Sequence, residues 1–541
     1  MVRIVLTTDK TLTGEFHHIP LLDFFSCAPV EKTPKFLYDF LTGQLPTYNG
    51  ILIRAPYPLR KIEAGLLRGY QPSEVVVVHP DHIHKFIDED TKIVGINSMD
   101  PLGLGPVSMM FTYGGYYTAY TKYYFLKLVR TVAEIRRKRN LKFKIVVGGS
   151  GAWQLDVKRN YLDELEIDHL IIGEVDHLLP DLFYKIEKED VYYYNTNGGN
   201  IISELISIDK SLNRIIKVKG HPEIYQIPTI IRPSTHGFVE AMRGCGRNCH
   251  FCEPNLRVGR YMPIEKIKKE VLVNVKIGKY YSVWLHSEDI FLYEVEDKMY
   301  FYPNRDALIS LFKSIMEIKE VKHMNPTHGT VSAAAADPDL IKDLSKILRA
   351  SSRNWIGIQC GLETGSNRIF ANYMPLKAKP FDADEWQEVI LEGNAVLNDN
   401  YWFPAYTLII GLPGETEEDC WATARFIDRL EKELPKKVGS KAHFTATPLS
   451  FVPVGLLKDR DFFNIDEQVN EGAFAVIYRC WRHTLIEVLR ASREVFNTNP
   501  FFKMFMQVLT FVGAQTILRS IEKWGEKLGF NVEKAKRVSW N

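Results

Sequence analysis

Three of the chain's seven cysteines fall within eight positions, in the segment Glu240-Ala-Met-Arg-Gly-Cys-Gly-Arg-Asn-Cys-His-Phe-Cys-Glu-Pro. Cys245, Cys249 and Cys252 are spaced CxxxCxxC, close enough for one loop to wrap a single inorganic cluster. A polar, glycine-bearing loop also leaves backbone N–H groups free to bond sulfides. Iron–sulfur clusters are held by cysteine thiolates, usually four. Three would leave one iron open to an outside ligand. A structural zinc site is the alternative, but it normally takes four ligands arranged as CxxC pairs. His250 could complete such a set, yet it lies between two of the cysteines, where binding the same ion is awkward. Cys27, Cys360, Cys420 and Cys480 stand alone, so no second full cluster is expected. Cys360, beside Gly361, is read as a buried, inert thiol, with a radical-relay role as the competing idea.

Something must position that loop. Strand-like segments at Phe238–Ala241, Ser282–Leu285, Asn325–Thr330, Trp355–Gln359, Tyr406–Ile410 and Phe444–Phe451 alternate with helical periodicity. The helical stretches are Ile264–Val275, Arg305–Ile318, Asp337–Arg349, Glu385–Asn398 and Glu417–Leu434. Repeated βα units predict a partial TIM-like barrel, whose chemistry sits at the C-terminal strand ends. The cysteine loop directly follows the first of these strands. Upstream, β-branched runs at Ile51–Arg54, Val75–His79, Ile93–Asn97, Phe143–Val147 and His169–Ile172 alternate with helices at Pro58–Arg68 and Tyr123–Lys138. That pattern predicts a parallel α/β sheet, with glycines after the strands at 97–105, 148–151 and 173–176. The fold expected is α/β throughout. A Rossmann-like domain spans 1–195, a linker 196–235, the barrel 236–460 and a helical region 461–541.

The spacing CxxxCxΦC, with Phe251 before the last cysteine, resembles the signature of the radical S-adenosylmethionine (SAM) superfamily. In that family the open iron binds the amino and carboxylate groups of SAM, and electron transfer cleaves it to a 5′-deoxyadenosyl radical. The resemblance extends to Gly361-Leu-Glu-Thr-Gly-Ser, whose Glu363 and Ser366 would meet the cofactor. It extends also to Ile409-Ile-Gly-Leu-Pro-Gly-Glu, where Gly411 and Pro413 would lie beside the adenine, and to the polar pair Glu288 and Asp289. Each taken singly could be a helix cap or turn residue. The resemblance implies a [4Fe–4S] cluster on Cys245, Cys249 and Cys252, SAM as co-substrate, a catalytic Glu363, and a ferredoxin- or flavodoxin-type electron donor.

The front domain resembles the cobalamin-binding domain that precedes the barrel in one radical SAM subclass, through Ile93-Val-Gly-Ile-Asn-Ser-Met, Ile145-Val-Val-Gly-Gly-Ser and Leu170-Ile-Ile-Gly-Glu-Val-Asp. Gly148, Gly149 and Gly173 are the corresponding cofactor contacts. The motif DxHxxG is absent, and His79, His82 and His84 read as surface or turn histidines. Cobalamin is thus an optional cofactor. Architecture of this kind implies methyl transfer, and the layout also resembles archaeal enzymes that close C–C bonds in membrane lipids, including tetraether ring synthases.

Bulk properties set the frame. A chain of 541 residues exceeds the size of a single core. Hydrophobic residues make up 45% and charged residues 25%, ordinary for a folded protein. The net charge of +2 gives no electrostatic case for a nucleic-acid partner. Scattered cysteines and the lack of a leader pattern predict a cytoplasmic protein. The apolar stretch 501–518 is interrupted by Lys503, Gln507 and Gln515, so it reads as a core or interfacial helix rather than a span. An apolar lipid substrate is expected along Phe463, Phe474, Trp481, Phe496, Phe501, Phe502, Met504, Phe505, Met506, Phe511 and Val512, with peripheral membrane contact. Richness in Lys, Ile, Tyr and Glu suits a thermophile, which is compatible with an archaeal source.

Overall fold

The computed structural model describes residues 1–16, 24–189, 205–208, 214–494 and 500–540. The chain divides into two units, Met1–Val239 with Glu265–Tyr281, and Glu240–Ile264 with Ser282–Asn541.

The first unit is built on a seven-stranded sheet. Its strands are β1 (Ile4–Thr8), β2 (Val75–Val77), β3 (Ile93–Asn97), β4 (Lys144–Gly148), β5 (His169–Ile172), β6 (Ile206–Ile208) and β7 (Ile215–Val218). Spatial order is β2-β1-β3-β4-β5-β7-β6, parallel except for β6. The runs IVLTT and VVV carry no alternation because helices cover both faces. Val5, Val94 and Ile145 pack under Phe125, Val129 and Val132 of the helix Tyr120–Lys138. Ile4, Leu6 and Val75 pack on the other side with Leu59 and Leu66. The first strand escaped the sequence reading because it opens the chain and ends in polar Thr7-Thr8. Ile51–Leu52 forms only a short hairpin with Thr47–Tyr48. β6 and β7 lie inside the stretch read as a linker.

In the second unit β8 (Phe238–Glu240) leads into Ala241, whose N–H donates to His286 O at 2.8 Å. β9 (Ser282–His286) pairs in parallel with β10 (His323–Pro326). β11 (Ile356–Glu363), β12 (Trp402–Ile410) and β13 (Thr445–Ser450) form a second parallel set. A single parallel bridge, His328 to Gln359, joins the two sets. The strands therefore follow chain order around an open barrel, with helices at Arg305–Met316, Pro338–Ile347, Trp386–Asp399 and Glu417–Val438 between them. β12 alternates buried and partly exposed residues along its length: one face lies under helices and the other lines the lumen.

The tail forms helices Glu471–Glu494, Pro500–Lys527 and Val532–Lys536. The first is tied to β13 through Thr484 Oγ1, which donates to Ala446 O at 2.7 Å. Phe474 is buried against Tyr478, Trp524 and Phe530. Met504, Phe511 and Val512 are exposed instead. The described members of the expected lipid-lining set thus do not share one surface: core packing claims Phe474, whereas the last three face outward. Phe496 and the side chains of Phe501, Phe502, Phe505 and Met506 lie outside what is described. Among the described residues no helix is long and apolar enough to cross a membrane.

Candidate active site

After Ala241 the chain enters a short antiparallel pair, Met242–Arg243 against Arg260–Tyr261, and the three cysteines occupy the excursion between them. Gly244 takes φ +78° there, and a Cβ would stand 2.6 Å from Val258 O, so only glycine fits. Gly246 takes φ +80° with nothing around its Cβ position. Cys245 and Cys249 are buried and Cys252 is partly exposed. Burial pushes the Cys249 thiol up to about 12 and Cys245 well above its usual value. Burial outweighs the nearby Lys377 and Arg247 cations, so these sulfurs stay protonated until a metal replaces the proton; a metal ligand must be the thiolate.

The loop is pinned from several directions. Arg247, between the first two cysteines, is buried to 1% exposure. Its guanidinium donates to Asp289 Oδ2 at 3.1 Å, to Thr330 Oγ1 at 3.0 Å and to Leu376 O at 3.0 Å. Asp289 in turn accepts from Thr330 N and Oγ1 at 3.1 and 2.8 Å. Two strand ends and the turn at Pro375–Lys377 are thus tied to the cysteine loop by one fork of donors, a task the planar guanidinium suits and an ammonium does not. The sequence reading missed Arg247, and its only trace there is a charged residue inside a metal loop. Asp289, read as half of a cofactor-facing pair, is committed to this network. His250 N donates to Tyr373 O at 2.9 Å. Gly455 lies so close that a Cβ would meet His250 O at 2.7 Å and Cys252 N at 2.9 Å.

Glu363 ends β11 in the left-handed region, φ +65°, where a side chain is strained and must be held by its surroundings. What holds it is Lys377, whose Nζ donates to Glu363 Oε1 at 2.5 Å. Both are buried, at 6% and 8% exposure. The pair lies over Gly361, where a Cβ would collide with both side chains. Burial works to lower the Lys377 pKa, but Glu363 and the nearby Cys249 and Cys252 outweigh it, so the ammonium is held above its ordinary value. Lys377 carries no motif, and the sequence reading did not single it out.

Glu288 follows β9 with one oxygen buried and unpartnered. Burial raises its carboxyl to about 7, against a hydrogen bond from the Gly244 backbone. Phe251 is partly exposed in the loop. Ser366 caps the helix Asn367–Tyr373, accepting from Ile369 N at 3.3 Å and donating to Asp419 Oδ1 at 2.6 Å, so its hydroxyl serves the fold. Gly411, φ +88°, is covered by Phe463 and donates through N–H to Glu415 Oε2 at 2.6 Å. Pro413 O accepts from Tyr373 Oη at 2.6 Å. Gly411, Pro413, Glu415, Phe463 and Asn470 line a cavity of about 320 Å³. Cys360 lies on the buried face of β11, and burial pushes its thiol far up.

Three thiols in one loop, buried cations at Arg247 and Lys377, and an unsatisfied carboxylate oxygen on Glu288 fit an iron–sulfur cluster with a zwitterionic co-substrate. The first unit is different. Gly149, φ +102°, and Gly151 press their backbones on Ser98 and Met99, where a Cβ would stand 2.4 and 2.3 Å from carbonyl oxygens. Gly173, φ +114°, lies against Val218, and Gly148 closes β4 paired with Asn97. The Asp100 carboxylate accepts from Gly105 N at 2.8 Å and Gln154 Nε2 at 2.6 Å. His79 is a buried cap: its Nδ1 accepts from Asp81 N at 3.2 Å and its Nε2 faces Gln44 Oε1 at 2.9 Å. Its imidazole is therefore engaged in the fold, and the strand-end glycines are used in packing. The β2-β1-β3-β4-β5 order is the flavodoxin-like one, whose ligands sit at the β1/β3 switch point, and cobalamin stays an optional cofactor.

An open barrel whose first strand delivers a three-thiol loop defines the radical SAM class, and residues 239–427 match the Radical SAM superfamily. The chain therefore carries a radical SAM domain, and the cofactors of that family are a [4Fe–4S] cluster and SAM. An uncharacterized protein of Methanocaldococcus jannaschii is 24% identical over 57% of this chain and 64% of its own length. A tRNA-2-methylthio-N(6)-dimethylallyladenosine synthase of Buchnera aphidicola is 22% identical over 62% of this chain and 71% of its own. This chain thus spans just under two thirds of the first relative. Among solved structures, the radical S-adenosylmethionine methyltransferase TsrM of Kitasatospora setae, bound to tryptophan substrate and a SAM analog, matches 83% of this chain and 73% of its own. The TM-score is 0.51 at 13% identity, a likeness of fold.

Proposed function

We propose that this chain is a radical SAM enzyme that transfers a group, in the first instance methyl, to an unactivated carbon of its substrate. The observation that carries the reading is the cysteine loop at the end of β8, buried and tied by Arg247 to the ends of the neighbouring strands. The names of the Buchnera and Kitasatospora relatives, a methylthiolating synthase and a methyltransferase, support transfer over ring closure. A second reading, C–C bond formation in an archaeal lipid, draws support from the exposed Met504, Val508, Phe511 and Val512 on the helix Pro500–Lys527, an apolar surface suited to a membrane.

Cys245, Cys249 and Cys252 would hold the cluster, which when bound with SAM supplies one electron and a 5′-deoxyadenosyl radical. Arg247 ties the loop to the ends of β9 and β10. Lys377 compensates the Glu363 carboxylate and sets positive charge beside the thiolates. Glu288 retains its proton up to about 7, so it can donate as well as accept a hydrogen bond.

The test is anaerobic reconstitution. Iron should reach about four per chain, and reduction with SAM should release 5′-deoxyadenosine. Methyl transfer adds S-adenosylhomocysteine to the products, whereas lipid ring closure does not. Tetrahedral zinc in place of iron, or no deoxyadenosine, would falsify the reading.

A further inference from the structure

The helix Pro500–Lys527 is fixed through its second half. There Phe474 of the helix Glu471–Glu494 lies against Trp524 and Gly525, and Tyr478 Oη donates to Glu522 Oε1 at 3.1 Å. Ala514 and Ile521 are buried as well. Toward the start of the helix the described side chains turn outward. Met504, Val508, Phe511 and Val512 are each more than half exposed. Their spacing of i, i+4, i+7 and i+8 puts them on one face, along about 12 Å of axis at 1.5 Å per residue. Ile486 of the preceding helix, which packs against this one, is exposed too.

The same face continues into charge. Arg519 and Lys523 follow Met504 at i+15 and i+19, and Lys527 comes one turn later; all three are exposed. Among the described residues no ion pair holds Arg519 or Lys523, and Lys527 has Asp466 nearby. Of the acidic residues on the helix, Glu522 is engaged by Tyr478 and by Lys536 Nζ at 3.1 Å. Glu526 is left as the opposing charge. An apolar stripe that runs into a row of cations complements a surface of acyl chains and anionic headgroups. Among the described residues no helix is long and apolar enough to cross a bilayer, so the match is to the bilayer's surface.

We propose that this helix is a peripheral anchor for an anionic lipid surface. Met504, Val508, Phe511 and Val512 enter the acyl boundary, and Arg519, Lys523 and Lys527 lie on the phosphates. The placement goes beyond the reaction, since a methyltransferase and a lipid synthase would use it alike. It sets the helix axis in the plane of the interface. Binding then draws on two sources, apolar burial and headgroup attraction, and only the second weakens as salt is added.

The test is flotation of the full chain with vesicles of phosphatidylcholine alone and of phosphatidylcholine with phosphatidylglycerol. At low salt, binding should be about tenfold tighter to the anionic vesicles, and it should approach the neutral level as salt is raised. Phe511→Asp with Val512→Asp should abolish binding to both. Arg519→Gln, Lys523→Gln and Lys527→Gln together should remove the preference for phosphatidylglycerol and leave the weak neutral binding. These positions are exposed, and melting temperature reports whether the variants fold. Hydrogen exchange on the wild type needs no variant: anionic vesicles should slow exchange across 504–512 and leave the helix Trp386–Asp399 unchanged. Absence of binding, equal binding to both vesicles, binding that survives the paired aspartates, or unchanged exchange at 504–512 would overturn the proposal. So would sedimentation in which the paired aspartates turn a dimer into a monomer, which gives the face to a second copy. Deoxyadenosine release without vesicles tests the radical reaction separately.

Discussion

Both units present the C-terminal ends of parallel strands, yet the two ends are finished differently. In the first unit the glycines after β4 are filled by the chain's own backbone at Ser98 and Met99, Asp100 is saturated with donors, and His79 is a helix cap. In the second unit the ends keep unspent chemistry: protonated buried thiols, a carboxylate oxygen on Glu288 without a partner, and a strained Glu363 matched by a buried ammonium. The described strand ends of the first sheet are spent largely on the chain's own packing. A sheet that leaves costs standing there needs a ligand to offset them.

The largest effect expected from this contrast concerns the cysteines. Cys249→Ala should reduce reconstituted iron to background and abolish deoxyadenosine release. Cys27→Ala, a buried cysteine of the first unit, should alter neither, and dependence of iron loading on Cys27 would break the comparison. Next comes the Lys377–Glu363 pair. Lys377→Met strands a buried carboxylate and should cost about 3–5 kcal/mol in urea denaturation. Adding Glu363→Gln should recover most of the loss, and an additive double variant would show that the two do not act as a unit.

Glu415 gives a pH-dependent test. Burial raises its carboxyl from 4.5 to about 7, so the folded chain keeps a proton that the unfolded chain releases earlier. Its favourable contribution is complete below pH 4.5 and is lost as pH climbs through about 7. Glu415→Gln should therefore gain stability over the wild type across that window, by up to about 3 kcal/mol at pH 8. A difference that does not vary with pH would refute the buried proton. The smallest effect separates two glycines. Gly149→Ala meets both a positive φ and a carbonyl oxygen at 2.4 Å, while Gly246→Ala meets only the positive φ. The first should cost about 2 kcal/mol more than the second in thermal melts.

Periodicity placed the barrel well. The five expected helices form, Ile264–Lys276 first, and five of the six strands lie where apolar spacing put them, because each βα unit repeats the same two-sided burial; the third strand runs His323–Pro326, ahead of the expected Asn325–Thr330. The cysteine loop was legible for a different reason: three soft ligands in one turn have few other uses. Support for that loop was not legible. Arg247 and Lys377 act across long sequence separations, Arg247 reaching Thr330 and Leu376, and nothing local marks a charged residue that will end up buried. Ser366 shows the converse, since a motif position that resembles a cofactor contact is spent on a helix cap and Asp419.

The tight approach of Gly455 to the cysteine turn has a consequence for biogenesis. The cysteine turn leaves the ribosome well before the residue that packs over it. Until that late segment arrives, the backbone at His250 and Cys252 lacks the cover that Gly455 gives it. A chain cut before position 455 should accept iron readily and surrender it as readily to a chelator.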